Sequence, residues 1–379
     1  MKVGIIGGGI TGLTTALALQ KLGIQSVVYE QAKEINAIGA GIWLQPNAIK
    51  VLDWLGLKNE VKKQGIELDK MEITNPQLKP YKKIKSEVVQ DAEGNQTVAI
   101  HRARLHNILY TELLKSNEVQ LDKKYKSHTI STAGINLQFE NGEDQVDILL
   151  GADGIDSLVR KAFLPESSVR SSGQVCWRGI SKMNLPDSLK NLGQESWGKQ
   201  IRFGFSQIHD GEVYWFAVAN EEHLKKAEEV GRKEYLSKLF QDFSSVITGL
   251  IEHTEPAKIH QTILHDLNKL PVWYNGNICL IGDAAHATTP NMGQGACQGI
   301  EDAYYISRSL SKSLHSAEEA FQQFQSKRIK KVDYIVNTSW QFGKMAHSKV
   351  GQPLMKLMLK LTPESVMSSQ MNKLYAIEN

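Results

Sequence analysis

A chain of 379 residues, 41% hydrophobic and 22% charged, is long enough to bury a large core in two domains that can interleave. Its 44 basic and 41 acidic residues leave a net charge of +3, a balance that calls for neither nucleic acid nor an anionic surface as partner. Three scattered cysteines, Cys176, Cys279 and Cys297, argue against a disulfide framework or zinc site and suit a reducing cytoplasm, and no run of 18 apolar residues spans a membrane.

In chain order, Lys2–Ile6 reads as a buried strand, since it runs straight into a glycine loop with no cleavage-type site. The loop Gly7-x-Gly9-x-x-Gly12 opens a predicted helix from Thr11 to Leu22, stopped by Gly23, and a second strand, Gln25–Tyr29, ends at Glu30. In such a unit Gly7 makes the tight turn, Gly9 admits a pyrophosphate, and Gly12 lets helix and strand approach. The helix N-terminus faces the phosphates, and an acid at the Glu30 position can take both ribose hydroxyls. His101-Arg102-Ala103-Arg104-Leu105 precedes another helix, where Arg102 is either a phosphate contact or a solvated cation. A strand at Val146–Leu150 leads into Gly151-Ala152-Asp153-Gly154; Asp153 is either a site residue or a helix cap.

From about 171 to 270 the pattern alternates, as in an antiparallel sheet with one covered face, and it carries Arg178, Arg202 and Tyr214. A buried strand at Asn277–Ile281 then ends in Gly282-Asp283, an acid at the carboxyl end of a strand. Pro290-Asn291-Met292-Gly293-Gln294-Gly295-Ala296 opens a helix whose N-terminal dipole would favour negative charge on a bound ring. His286 reads as a packed, hydrogen-bonded histidine rather than a general base. Residues 315–379 read as helical, with an apolar stripe of Leu354, Met355, Leu357, Met358 and Leu361 interrupted by Lys356 and Lys360. Packing on the protein itself is favoured for that stripe over a membrane surface. Glycine-rich segments at both ends of the chain suggest one long dinucleotide held from both sides, which points to FAD rather than NAD.

In combination, GxGxxG with Glu30, Arg102-x-x-Leu105, Asp153-Gly154, Gly282-Asp283, Pro290 and Gly293-Gln294-Gly295 resemble the class A FAD-dependent aromatic hydroxylases of the para-hydroxybenzoate hydroxylase fold. Thr288-Thr289-Pro290 and Gly295-Ala296-Cys297 are similar to the FAD-dependent urate hydroxylase and zeaxanthin epoxidase branches, and Gly39-Ala40-Gly41-Ile42 to the segment beside the flavin. The resemblance implies an α/β fold: a Rossmann-like, two-dinucleotide-binding FAD domain with an inserted, mainly antiparallel substrate sheet and a C-terminal helix. The FAD domain would take 1–70, 100–170 and 270–335, the substrate domain 71–99 and 171–269, and the helical segment 336–379. Cofactor contacts are implied at Gly7, Gly9, Thr11, Gly12, Glu30, Gln31, Gly41, Arg102, Asp153, Asp283, Pro290, Gly293, Gln294, Gly295 and Ala296, and no metal.

The activity implied is monooxygenation. NADH or NADPH, bound transiently, reduces FAD, and O2 then gives a flavin C4a-hydroperoxide that hydroxylates a small aromatic or heteroaromatic substrate. Arg202 and Tyr214 match positions where urate hydroxylases hold substrate. Arg178 stands where they have an asparagine and Asn291 where they have an acid, so urate itself is in doubt. A polycyclic antibiotic such as a tetracycline as substrate, or a non-catalytic flavin-binding redox module, are the competing readings. The implied protein is cytoplasmic, a monomer or homodimer, with no nucleic acid partner.

Overall fold

The computed structural model describes residues 1–35, 39–83, 90–115, 117–313 and 316–378; the parts of the expected domain segments at 36–38, 84–89, 116, 314–315 and 379 lie outside the described residues. Its first layer is a six-stranded sheet in the order Tyr274–Asn275, Ile278–Leu280, Ile148–Gly151, Lys2–Ile6, Gln25–Tyr29, Glu118–Gln120. All its pairings are parallel except the edge pair of Tyr274–Asn275 with Ile278–Leu280. Continuous Val, Ile and Leu runs make this possible, because both faces of such a sheet are covered. Strands Lys2–Ile6 and Gln25–Tyr29 have the expected bounds. The strand expected at Val146–Leu150 is divided: Val146 ends the hairpin strand Gly142–Val146, and Ile148–Gly151 joins the parallel sheet. Asp147 sits at the break, its carboxylate taking the Lys2 N–H at 2.6 Å.

Helix Ile10–Lys21 packs on this sheet and against helix Gly295–Lys312, and its residues from Gly12 to Leu19 are all buried. Gly7 has φ of +109°, and a Cβ there would lie 2.4 Å from the Ala152 carbonyl oxygen; a Cβ on Gly12 would lie 2.0 Å from that of Gly7. The turn and the helix approach therefore both depend on glycine.

The second large sheet has seven strands, ordered His260–Leu267, Val169–Lys182, Glu212–Asn220, Arg202–His209, Leu192–Trp197, Lys70–Thr74 and Pro80–Lys83. It is antiparallel except where Leu192–Trp197 runs parallel to Lys70–Thr74. Period-2 alternation sorts its side chains. Trp177, Phe203, Phe205 and Trp215 form one core with helices His223–Val230, Arg232–Leu239 and Ser245–Glu252. Burying one such tryptophan, roughly 200 Å² at 25 cal/mol/Å², stabilises by about 5 kcal/mol. The opposite face carries Arg178, Arg202, Ser206, Tyr214 and Phe216, and it meets the small antiparallel sheet Gly41–Leu44, Thr97–His101 and Gly65–Leu68.

Three helices, Ala317–Ala346, Gly351–Leu361 and Glu364–Tyr375, close the chain where the sequence suggests one helical segment. The first is 30 residues long, capped by Ser316, and runs through the expected boundary at 335; the boundary at 170 falls inside strand Val169–Lys182.

Candidate active site

The site lies between the two large sheets and is built from both ends of the chain. At the first end, no side chain caps helix Ile10–Lys21, so the backbone N–H groups of its first turn stay open. A Cβ on Gly9 would meet nothing within 4 Å, which leaves the room a diphosphate needs. Glu30 accepts from the N–H groups of Gly8 at 2.7 Å and Ala32 at 2.8 Å, which fixes its carboxylate beside the loop. Gln31 is exposed just beyond it, and His106 contacts the Gly8 carbonyl at 2.6 Å.

The other end closes on the same loop. Thr11 occupies the space beside Gly282 and Gly299, where added Cβ atoms would come within 2.6 and 2.1 Å of its hydroxyl. Asp283 is exposed as a residue, yet desolvation by the surrounding protein pushes its carboxyl pKa up, against the opposing charges of His286 and Arg102. Arg102 is itself exposed and packs beside Gly39. A carboxylate open to a cleft but surrounded by protein is what a polar ligand would cover. Pro290–Met292 forms a short turn, Gly293 takes φ of +63°, and helix Gly295–Lys312 starts without a side-chain cap, Ala296 in its first turn. The Gln294 side chain turns inward, bonded to Gln45 at 2.5 Å and Asn47 at 3.1 Å, and the residue is fully buried.

Asp153 behaves as a helix cap: its carboxylate takes the Ser157 hydroxyl at 2.5 Å and the Leu158 and Val159 N–H groups at 2.8 and 3.2 Å. His286 is the buried, satisfied histidine expected, bonded to Asp302 at 2.6 Å with its ring 5.1 Å from Trp273. Sequence reading missed the charged network around it. Asp302 also accepts from the Gly282 N–H and from Arg328, at 2.8 Å each, and Arg328 and Lys331 both pair with Glu301. Burial alone would raise the Asp302 pKa, but His286 and Arg328 outweigh it and hold it at about 2.

On the facing sheet, Arg178, Cys176 and Tyr214 are neighbours, and Gly41 packs directly on the Tyr214 ring. Burial raises the Tyr214 hydroxyl's pKa, so it stays a donor, while Arg178 partly opposes the rise. Trp43 donates to Ser206 at 2.8 Å and meets Phe216 edge-on at 6.2 Å. Cys176, Val218 and Leu264 complete an apolar wall with Phe216. Arg202, brought to the same face, is buried and engaged: it pairs with Glu195 at 2.9 Å, donates to Asn291 at 2.5 Å and lies 5.4 Å from the Phe342 ring centroid. Its Nε has no partner among the described residues. Neither Glu195 nor Phe342 was a candidate from sequence.

Comparison with known proteins agrees with this geometry. The family described as FAD binding domain matches residues 1–339. The chain belongs to it. Aurachin C monooxygenase/isomerase of Stigmatella aurantiaca is 34% identical over 91% of this chain and 90% of its own length. The 2-heptyl-3-hydroxy-4(1H)-quinolone synthase of Pseudomonas aeruginosa is 30% identical over 91% and 89%. In fold the chain is similar to Klebsiella pneumoniae HpxO complexed with FAD and uric acid, with TM-score 0.88, 23% identity and coverage of 99% and 96%.

This family member is therefore an FAD-dependent monooxygenase, with NADH or NADPH as the reductant usual for the family. The residues present fit the cofactor: open space at Gly9, uncapped helix N-termini at Ile10 and Gly295, and, at the exposed residue Asp283, a carboxyl partly desolvated by the surrounding protein. No helix among the described residues is long and apolar enough to cross a membrane.

Proposed function

We propose that the monooxygenase hydroxylates a planar heteroaromatic compound that carries an ionisable oxygen substituent on its ring, of the 4-quinolone kind, and an apolar substituent. The observation that carries this reading is the contrast between two arginines. Arg202 is neutralised by Glu195 and donates a hydrogen bond to Asn291, whereas Arg178 has no carboxylate partner among the described residues and faces the Tyr214 hydroxyl. The walls beside it, from Trp43 and Phe216 to Val218 and Leu264, are apolar and suit a flat ring with a hydrocarbon substituent. A relative whose name is 2-heptyl-3-hydroxy-4(1H)-quinolone synthase supports the same choice.

FAD, when bound, supplies the redox chemistry, passing electrons from NADH or NADPH to O2 so that one oxygen atom enters the substrate. The protein's own residues do the rest. The open N–H groups at Gly9–Gly12 would hold the diphosphate, Glu30 the ribose, and Asp283 and Arg102 the linker beyond it. The N-terminus of helix Gly295–Lys312 would set positive potential against the edge of the bound ring. Arg178 stabilises an ionised oxygen on the substrate, which enriches its ring for attack by an electrophilic oxygen, and Tyr214 donates to the same oxygen. Phe216, Val218 and Leu264 exclude water from the reacting face. Asp153 serves this site indirectly, by fixing helix Leu158–Phe163. Arg202 acts as a positioning residue that ties the sheet to Asn291 and Phe342. The domain division at 1–70, 100–170 and 270–335 against 71–99 and 171–269, and a monomer or homodimer in the cytoplasm, complete the proposal.

A substrate screen tests it. Purified yellow protein should oxidise NADH or NADPH faster with 2-heptyl-4-quinolone than with 3-hydroxybenzoate or urate, and release little peroxide. Coupled turnover with urate alone would overturn the substrate class.

A further inference from the structure

Exposed apolar side chains are not spread evenly over this protein. Six of the thirteen large hydrophobic side chains exposed among the described residues fall between Val350 and Val366. Leu354, Leu357, Met358 and Leu361 follow helical spacing on one face of helix Gly351–Leu361, and all are at least 50% exposed; Val350, at 79%, extends the stripe by a turn. Single exposed apolar residues are ordinary, but a continuous row of them marks a contact surface.

The helix cannot turn this stripe inward, because its other face is already fixed. Met355 packs with Trp197 and Ala346, Gln352 bonds to the Ala346 carbonyl at 2.9 Å, and Lys82 donates to the Thr362 carbonyl at the helix end. The self-packing expected from the sequence is thus realised by Met355 alone among the five stripe residues.

The chemistry of the rim identifies the partner. Between Lys344 and Pro363 there are four lysines and no aspartate or glutamate. Lys356 and Lys360 lie 5.2 and 5.8 Å from the Tyr81 ring centroid, and Lys349, Lys356 and Lys199 line a cavity of about 580 Å³ beside Trp197. A second copy of this chain would bring lysines against lysines across a two-fold contact, which disfavours it. An apolar ridge with a basic rim matches the interfacial region of an anionic bilayer.

We infer that helix Gly351–Leu361 docks the enzyme on an anionic membrane surface, with Leu354, Leu357, Met358 and Leu361 in the acyl boundary and the lysines at the headgroups. The near-neutral net charge is no obstacle, since the positive charge is local. This surface lies outside the proposed substrate contacts, so it stands or falls independently of the substrate class.

The test uses the full-length, FAD-loaded enzyme and vesicles of phosphatidylglycerol with phosphatidylcholine, compared with phosphatidylcholine alone. The enzyme should sediment with the anionic vesicles and be released by 1 M salt, which shortens the screening length to about 3 Å. A Leu357→Gln/Leu361→Gln variant should lose binding at least about tenfold. Its flavin content, melting temperature and basal NADH or NADPH oxidation should not change. A Lys349→Glu/Lys356→Glu/Lys360→Glu variant should lose binding similarly. Failure of the wild type to sediment, wild-type binding by both variants, or a dimer in solution that the leucine variant dissociates would each overturn the inference.

Discussion

Two arginines of similar promise in the sequence have different surroundings in the structure. Arg178 and Arg202 both point from the substrate sheet toward the cofactor side, but only Arg202 meets a carboxylate and an amide there. Its partner Glu195 lies across a strand pairing, and Phe342 is contributed by a helix 140 residues later in the sequence, so neither could be read from spacing. The Asp302–Arg328 pair was hidden for the same reason. Removing one member of this buried pair should be costly: Arg328→Met is expected to lower stability by about 3–5 kcal/mol, read by denaturant unfolding. The pH sign follows from Asp302, whose pKa falls from 3.8 to about 2 on folding. Its contribution is complete above the unfolded value and is lost as pH drops from about 4 through 2. Melting temperature should therefore fall more steeply over that interval in the wild type than in Asp302→Asn, and parallel curves would contradict the assignment.

At the scale of elements, the first strand–loop–helix–strand unit was legible almost to the residue, because every local signal in it agrees: apolar runs, glycine spacing, a glycine stop. Its three glycines separate by role. Gly12→Ala would place a Cβ 2.0 Å from the Gly7 carbonyl oxygen and should yield insoluble or unfolded protein. Gly9→Ala meets open space, so the protein should fold with an unchanged melting temperature in its apo form yet retain less flavin, measured by the 450 nm to 280 nm absorbance ratio. Full flavin retention in Gly9→Ala would remove the diphosphate from that loop. The tail was less legible. Apolar periodicity announces an amphipathic helix but not which neighbour it faces, and here Met355 turns in while Leu354, Leu357, Met358 and Leu361 turn out.

Over the whole molecule, the parallel sheet supplies the cofactor end and the seven-stranded sheet the substrate end, with the strand Gly41–Leu44 between them. That arrangement was foreseeable from motif order, whereas the facing of Arg178 and Tyr214 onto Gly41 required the strand register. The central claim is that substrate lies on this face and is activated by Arg178. The most direct measurement is single-turnover coupling, hydroxylated product formed per NADH or NADPH consumed, for the wild type and for Arg178→Ala at equal flavin content. The account predicts coupling near one for the wild type. For Arg178→Ala it predicts a loss of about tenfold or more, with peroxide released in place of product. Undiminished coupling in Arg178→Ala, with the loss found in Arg202→Ala instead, would contradict it.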